Sequence, residues 1–446
     1  SLSQNSLWHQ PNDVRFRQNQ LSGIGLERKK AKTMGKRFKV CCIGLGHRGM
    51  CYLERMFLQK DRYELIAVCD INHERVRQAK EQFQLKEENC FYDENEFFAK
   101  NRGDILIVAT QDRDHVGHCI KALKLGYDIL CEKPISGVKE EVEELLEAHR
   151  KYGHKIFVCH VLRFAPAFRR VKDLLDAGKI GQLVMIDSIE NVGYLHQAHS
   201  FVRGNWRRSE ETSPMILAKC CHDLDLLVWY SGSKCESLNS KGDLRYFKKE
   251  NQPKGASDRC QNCKYRGQCP YDAYTAYLVH NFWGKKMITD VRPITDEAII
   301  DALDHGPYGR CVFACDNDVV DNEMTIMRFQ NGVTANLRMT AFTYGGGRIM
   351  KFYGTLGEID LDEEAGRIDI MEFGKKKETI EISTLVDAVS GHGGGDDGLI
   401  NALYDFIVSD KPGGTTLEAS IESHLMAFAA EESRLHNGAT EKIEHK

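Results

Sequence analysis

Among the 446 residues no apolar run approaches the roughly 20 that a membrane-spanning helix needs, so no helical span is expected. No block of lysine and arginine is long enough to track a phosphate backbone. The formal net charge of −4 is mild, so nucleic acid is not expected as a partner. No segment has the apolar centre of a signal peptide, and no stretch carries a helix-turn-helix signal. Internal repeats are absent, as are low-complexity tracts beyond short glycine clusters. What remains is ordinary globular composition, 42% apolar and 28% charged, in a chain long enough for two or three domains.

Sixteen cysteines could form disulfides or an intracellular set of thiols. Cys41, Cys42, Cys69, Cys131 and Cys159 lie in apolar runs that read as buried strands, where cysteine acts as a small hydrophobe. With no secretion signal, the expectation is a reducing cytoplasm with most thiols free. Ser1 to Thr33 is polar, lacks periodicity and ends in the basic cluster Arg28, Lys29, Lys30, Lys32. It reads as a leader of expression origin or, as the rival, a native basic arm.

Phe38 to Ile43 is a short apolar run, as a strand buried on both faces requires. Gly44-Leu45-Gly46-His47-Arg48-Gly49 follows and opens a helix from Met50. GxGxxG alone is weak, but between a strand and a helix it is in the setting that dinucleotide binding needs. Gly44 permits the turn, Gly46 lets the backbone approach a pyrophosphate, and Gly49 lets helix and strand pack. The helix start supplies free N–H groups for phosphate. A second strand, Glu64 to Cys69, ends at Asp70, where a carboxylate can hold ribose hydroxyls and repel a 2′-phosphate. Strands at Ile105 to Ala109, Asp128 to Cys131 and Ile156 to Cys159 alternate with helices at His115 to Gly126 and Val138 to Tyr152. This predicts a doubly wound parallel sheet over residues 34–160, with ligands at the carboxyl ends of its strands. Thr110-Gln111, Glu132-Lys133-Pro134 and His160 fall at such ends.

With Glu132-Lys133-Pro134 the sequence resembles the Gfo/Idh/MocA family, named for glucose–fructose oxidoreductase, inositol dehydrogenase and rhizopine catabolism. The early GxGxxG, Asp70, the segment Thr110 to His115, Arg163-Phe164 and the later His222-Asp223-Leu224-Asp225 match in order, from Lys36 to the C-terminus. The resemblance implies a Rossmann domain, a C-terminal α/β domain with a large open, mostly antiparallel sheet walling the substrate site, and NAD(P)-dependent redox chemistry on sugars and cyclitols. It places Gly44, Gly46, His47, Arg48, Gly49, Asp70, Thr110, Gln111, His115, Glu132, Lys133 and Arg163 around the cofactor. It puts Lys133 beside the nicotinamide and the substrate hydroxyl, and gives His222 an acid–base role. Many relatives carry an aspartate four residues before that histidine, where this chain has Ala218 followed by Lys219.

The second half, 161–446, begins with a strand over Asp187 to Tyr194. A polar-aromatic cluster follows, His196, His199, Arg203 and Trp206, whose donors and aromatic face suit a polyhydroxylated ligand, the rival being a solvated loop. On a helix from Pro214 to Tyr230, Lys219 and His222 are three apart and share a face beside Asp223, which makes Lys219 a further catalytic candidate. Later strands are expected over Val319 to Phe329, Thr334 to Ala341, Ile349 to Tyr353, Glu358 to Leu361 and Arg367 to Phe373. His160, Asp223 and His392 complete the expected substrate contacts, although the glycine loop bearing His392 could equally be plain surface. Helices over Leu399 to Val408 and Thr416 to His436 close the chain.

Cys260-x-x-Cys263-x5-Cys269-Pro270 lies in an insertion, 248–287, that lacks apolar periodicity. Three thiols in a polar loop are metal-ligand composition, and thiolates select zinc or an iron–sulfur centre. CxxC with a terminal Cys-Pro looks like a ferredoxin run, but one cysteine is missing locally. The expectation is therefore one structural zinc, its fourth ligand Cys311, with Cys315 and His280 as alternatives.

Together these features point to an NAD-dependent oxidoreductase of a sugar, cyclitol or related carbohydrate, in a homo-oligomer built through the C-terminal sheet. The resemblance also allows a glycosidase that uses NAD catalytically, through transient oxidation, elimination and return of the hydride. A non-catalytic NAD sensor is a third possibility, disfavoured by Lys133 and His222. If Asp70 reads the ribose, titration should show NAD binding more tightly than NADP, and Asp70→Ala should narrow the gap; tighter NADP binding by the unaltered chain would refute the assignment.

Overall fold

The computed structural model describes residues 35–385, 391–409 and 414–445, so the leader expected over 1–33 lies outside the described residues. The first layer is a six-stranded sheet of β1 (Phe38–Ile43), β2 (Tyr63–Cys69), β3 (Cys90–Phe91), β4 (Ile105–Val108), β5 (Asp128–Cys131) and β6 (Ile156–Val158). Its spatial order is β3-β2-β1-β4-β5-β6, and every pairing is parallel. Strand order reverses between β1 and β4, which is where a doubly wound sheet opens a crevice for a ligand. Helices His47–Leu58, His115–Leu125 and Lys139–Tyr152 make the crossovers.

Alternate residues of these strands feed two cores. Val40, Cys42, Ile105 and Ile107 face one side, and Cys41, Ile43, Leu106 and Val108 the other. All sixteen cysteines are free. Burial pushes the Cys41 thiol up to about 12, so it packs as a neutral hydrophobe.

The second sheet has nine strands: β7 (Leu183–Asn191), β8 (Cys235–Asp243), β9 (Asn322–Phe329), β10 (Thr334–Thr340), β11 (Gly347–Gly354), β12 (Gly357–Asp362), β13 (Arg367–Glu372), β14 (Glu378–Glu381) and β15 (Glu441–Lys442). They run β14-β13-β12-β11-β7-β10-β9-β8-β15, antiparallel except where β7 meets β10. β7 starts earlier than its sequence pattern suggested, and β8 escaped notice. β8 reads CESLNSKGD, with little apolar alternation. Its buried Ser240 is held instead by hydrogen bonds to Glu323 and Thr325.

The last two helices, Gly395–Val408 and Leu417–Leu435, return to the first layer. Tyr63 donates to the Ile400 carbonyl at 2.9 Å, and Leu417 joins the core of Val158 and Ile129. Residue 160 thus separates the two sheets but not their packing. Among the described residues no helix is long and apolar enough to cross a membrane.

Two glycines set the crevice. Gly44 has φ +90°, and a Cβ there would lie 2.4 Å from the Ala109 carbonyl oxygen on β4's end. A Cβ on Gly49 would lie 2.0 Å from the Gly44 oxygen, so any side chain forces helix and loop apart. Gly49→Ala should therefore cost about 1–3 kcal/mol of stability. Gly117, in an exposed helix position with nothing within 4 Å, gives the opposite case. Gly117→Ala should gain about 0.5–1 kcal/mol by helix propensity. Urea unfolding of the two variants tests the contrast; equal midpoints would contradict it.

Candidate active site

The crevice above β1 and β4 is built for a dinucleotide. Gly46 caps helix His47–Leu58 without a side-chain acceptor, and the first turn carries no carboxylate. Its leading N–H groups are left for an anion. A Cβ on Gly46 would meet nothing nearer than the Arg75 guanidinium at 4.0 Å, so the backbone face is open to an incoming group. Asp70 stands at the end of β2. Its Oδ2 accepts from the Leu45 N–H at 2.6 Å and its Oδ1 from the Asn72 N–H at 2.8 Å, which brace the glycine loop. His47 and Gln111 are exposed beside this crevice. The Thr110 hydroxyl is hydrogen-bonded to His118 Nδ1 at 3.0 Å. The His115 ring bridges the Thr110 and Pro134 carbonyls at 3.2 and 2.8 Å, tying the ends of β4 and β5 together.

Arg48 and Arg163 were expected at the cofactor, yet both guanidiniums are engaged within the protein. Arg48 Nε lies 2.9 Å from Glu132, and its Nη2 lies 2.6 Å from Asp396 and from the Tyr52 hydroxyl. Burial pushes the Glu132 carboxyl up, but Arg48, Lys133 and the Tyr52 donor outweigh it, and the carboxyl stays below its ordinary value. Arg163 forms a fork with Asp225, 2.7 Å on each arm, and donates to the Gly414 carbonyl.

Next to Glu132, Lys133 donates from Nζ to the Ala218 carbonyl at 3.0 Å. That contact explains a departure from the expected continuous helix over Pro214 to Tyr230. The chain forms two helices, Met215–Ala218 and Cys221–Ser231, with a break at Lys219-Cys220. The break turns the Ala218 carbonyl toward the lysine. Lys219 and His222 therefore do not share one helix face.

His222 is buried near Lys133. Burial and then the charges of Lys133 and Arg348 hold its imidazole far below the usual range, so it is neutral at pH 7. Its Nδ1 is buried without a hydrogen-bond partner. Its ring lies 6.0 Å from that of His160 and 6.1 Å from that of His392. His160 is held down to about 4 by burial, and neither of its ring nitrogens has a hydrogen bond, Asp225 standing 3.9 Å away. His392 sits at the rim, φ +51°, with Nδ1 3.2 Å from Asp396. His424 packs behind His160. Its Nε2 accepts from the Ile135 N–H at 2.8 Å while Nδ1 donates to the Ser420 carbonyl at 2.9 Å, a pairing that only the neutral ring makes.

Asp223 was expected to touch substrate, but it is fully buried and held by Arg348 at 2.8 and 3.2 Å. Burial pushes its carboxyl up to about 6 even so. Arg348 also meets Glu190 at 2.9 Å, and Glu190 meets Lys219 at 2.9 Å. Lys219 is thus one end of a buried Lys219–Glu190–Arg348–Asp223 chain. Sequence reasoning missed Glu190 and Arg348. The signal for Glu190 was present, since it occupies the inward period-2 position of Ile186 and Ser188. Arg348 follows only from the β7–β11 register, which places it opposite Glu190.

The polar-aromatic cluster divides. Burial and the charges of Lys219, His199 and Lys133 depress His196, whose ring packs against Phe201 and Trp283. Trp206 Nε1 points to the buried Asp112 at 3.4 Å. His199 and Arg203 turn the other way, contrary to their expected role. His199 is hydrogen-bonded to the Tyr277 hydroxyl at 2.7 Å and stacks on Tyr308. Arg203 donates to the Tyr271 and Arg310 carbonyls and to the Cys260 sulfur. Cys260, Cys263, Cys269 and Cys311 do line one cavity, of about 300 Å³. The single structural zinc expected from them finds no support: among the described residues no three His, Cys, Asp or Glu side chains are grouped to hold one metal ion.

Comparison with known proteins agrees with this layout. Residues 38–160 match the model of an oxidoreductase family with an NAD-binding Rossmann fold, and residues 168–360 match that of the GFO/IDH/MocA C-terminal domain. YteT of Bacillus subtilis strain 168, named as an oxidoreductase, is 26% identical over 361 residues, 77% of this chain and 82% of its own. An inositol 2-dehydrogenase of Salmonella typhimurium is 22% identical over 192 residues, 43% of this chain and 54% of its own, so only about half of that relative is spanned. The crystal structure of the WlbA dehydrogenase from Bordetella pertussis, in complex with NADH and UDP-GlcNAcA, superposes with a TM-score of 0.63 at 17% identity, covering 92% of this chain and all of its own.

The buried histidines give a pH test. His424 is held at about 3 by burial, against roughly 6.5 when unfolded. Its folded value is the lower one, so unfolding takes up a proton between these limits. The group's stabilisation is complete above about 6.5 and lost as pH falls toward 3. Relative to His424→Gln, the unaltered chain should lose about 1.4 kcal/mol per pH unit between pH 6 and 4. Urea denaturation at stepped pH checks this; a pH-independent difference would contradict it.

Proposed function

The chain belongs to the Gfo/Idh/MocA family of NAD-binding oxidoreductases, and from that premise we propose that it oxidises a hydroxyl of a sugar, cyclitol or related carbohydrate. The observation that carries this is the pairing of Lys133 with neutral His222. An ammonium and an unpartnered buried imidazole nitrogen stand together at the carboxyl end of β5, across from the glycine loop. Relatives named as inositol dehydrogenases, and a neighbour bound to a nucleotide sugar, support the substrate class.

In this reading Gly44, Gly46, Gly49 and the N–H groups after Gly46 hold the pyrophosphate, and Asp70 holds the adenosine ribose. Thr110, Gln111, His115 and Glu132 line the path to the nicotinamide end. Arg48 and Arg163 act through Glu132, Asp396 and Asp225, and so position rather than contact. A bound nicotinamide would supply the acceptor for a hydride from the carbinol carbon. Lys133 has three ammonium protons and gives one to Ala218, which leaves donors to grip the substrate oxygen. His222, uncharged at neutral pH, takes the hydroxyl proton. His160, His196, His392 and Trp206 shape the walls. Lys219 and Asp223 belong to the frame around Glu190 and Arg348, which fixes the start of the helix carrying His222. Nothing in this geometry is specific to elimination of a glycosidic group. A second copy would pack on the outer face of the nine-stranded sheet, where Met324 and Ile326 are 57% and 63% exposed; sedimentation velocity tests this, and a monomer would oppose it.

Lys133→Met keeps the side-chain length but removes the amine. Turnover should fall by roughly 10²–10⁴ while NAD affinity stays within about tenfold. His222→Ala should fall in the same range, and the double variant should lose less than the sum, because both act on one proton path. Near-normal turnover by Lys133→Met on the true substrate would overturn the assignment.

A further inference from the structure

We propose that residues 283–290 form a strap over the dinucleotide crevice, latched by Asp290, and that Lys286 on this strap binds the phosphates of the cofactor. The proposal rests on the reading above that the dinucleotide lies against the glycine loop. The strap starts in the aromatic cluster beside the cysteine insertion. There the Trp283 ring meets the His196 ring edge to face, with centroids 5.1 Å apart, and lies 4.9 Å from the Phe282 ring. Gly284 is buried, and a Cβ on it would lie 2.7 Å from the Phe282 ring and 2.9 Å from the His199 ring. The Lys286 carbonyl accepts from Arg292 Nη2 at 3.0 Å, which fixes the turn of the strap.

The far end is held by the helix His73–Phe83, which follows Asp70. Asp290 Oδ2 accepts from Asn72 Nδ2 at 2.8 Å, and its Oδ1 from Arg75 Nε at 2.9 Å. The Asp290 carbonyl accepts from Gln78 Nε2 at 2.8 Å. Asn72 also donates its N–H to Asp70 and caps the helix with its side-chain oxygen. It thus ties the strap to the carboxylate assigned to the adenosine ribose. Arg75 carries the contact on to the glycine loop, since its Nη1 lies 4.0 Å from where a Gly46 Cβ would be. One guanidinium therefore touches both the strap and the loop, and the strap crosses above the helix start where phosphate binds.

The charges suit a phosphate. A helix end supplies only about half an elementary charge, less than a pyrophosphate carries. The two arginines expected at the cofactor, Arg48 and Arg163, are engaged by carboxylates of the protein. Lys286 is exposed, and among the described residues no carboxylate forms an ion pair with its ammonium. Desolvation and then Arg48 hold the His47 imidazole below its ordinary value, and Lys286 adds to this, so its ammonium stands near the first residue of the phosphate-binding helix. Lys285 differs, because its ammonium is bonded to Asn281. The Arg75–Asp290 pair is about one-third exposed on each side, and pairs of that kind hold only weakly. The strap can therefore lift. While it is down the dinucleotide is enclosed, so the latch sets the rate of cofactor exit and Lys286 sets part of the affinity.

The test loads the full chain with NADH and follows its release into excess ADP-ribose by stopped-flow fluorescence. Asp290→Ala should speed release by about tenfold. Lys286→Met should weaken NAD binding by about three- to tenfold, an effect that fades at high salt, while adenosine binds as before. Lys285→Met should change neither quantity. Unchanged release from Asp290→Ala would overturn the proposal, as would equal weakening of NAD binding in Lys285→Met and Lys286→Met. Failure of the underlying reading looks different: an unaltered chain that binds no NAD, or binds it equally after Asp70→Ala, removes the crevice as the cofactor site and the strap's role with it.

Discussion

Arg48 holds three distant pieces of chain at one point. It lies in the first turn of the helix after the glycine loop, and its guanidinium meets Glu132 at the end of β5 and Asp396 at the start of a C-terminal helix. Glu132 and Asp396 are buried and Arg48 is half-buried, so removing the guanidinium strands two buried carboxylates, at a cost on the order of 3–5 kcal/mol. Glu132 precedes Lys133, and His392 sits four residues before Asp396. One guanidinium therefore fixes the glycine loop, the lysine and the rim histidine relative to each other. A family-level carry-over gives Arg48 to the cofactor; the geometry gives it to the frame that holds the cofactor's neighbours.

A second consequence is electrostatic. Around the Lys133 ammonium stand His222, His160, His196 and His424, each kept neutral by burial and by nearby positive charge. Neutral imidazoles accept protons but add no charge to repel a cationic ring. Behind them the Lys219–Glu190–Arg348–Asp223 chain, with Glu363 3.9 Å from Arg348 at its edge, pairs both of its cations with carboxylates inside the protein. Site and frame are distinct layers: one leaves polar atoms unpartnered, the other pairs every charge.

Much of this was legible in the sequence because it is local. Strand, glycine turn and helix lie consecutively, and Asp70 follows at a fixed distance along the chain. Glu132-Lys133 is recognised by its place at a strand end. What stayed hidden is non-local. The Arg48–Asp396 and Arg163–Asp225 pairs join segments that no periodicity relates. The break after Ala218 was invisible because Met215 to Ser231 is apolar enough to read as one helix; what interrupts it is an acceptor demanded by a lysine from another segment. Arg203 looked like a ligand for substrate because its neighbours are polar, and its direction depends on a backbone bridge far along the chain.

The account rests on Lys133 and His222 meeting the nicotinamide end of the bound dinucleotide. The most direct measurement is a crystal structure of the chain with NAD. It should show the pyrophosphate against the Gly44–Gly49 loop, the adenosine ribose on Asp70, and the reactive carbon of the nicotinamide separated from Lys133 Nζ and His222 only by the width of one hydroxyl-bearing carbon. A nicotinamide turned away from both side chains, with that space closed by protein, would contradict it.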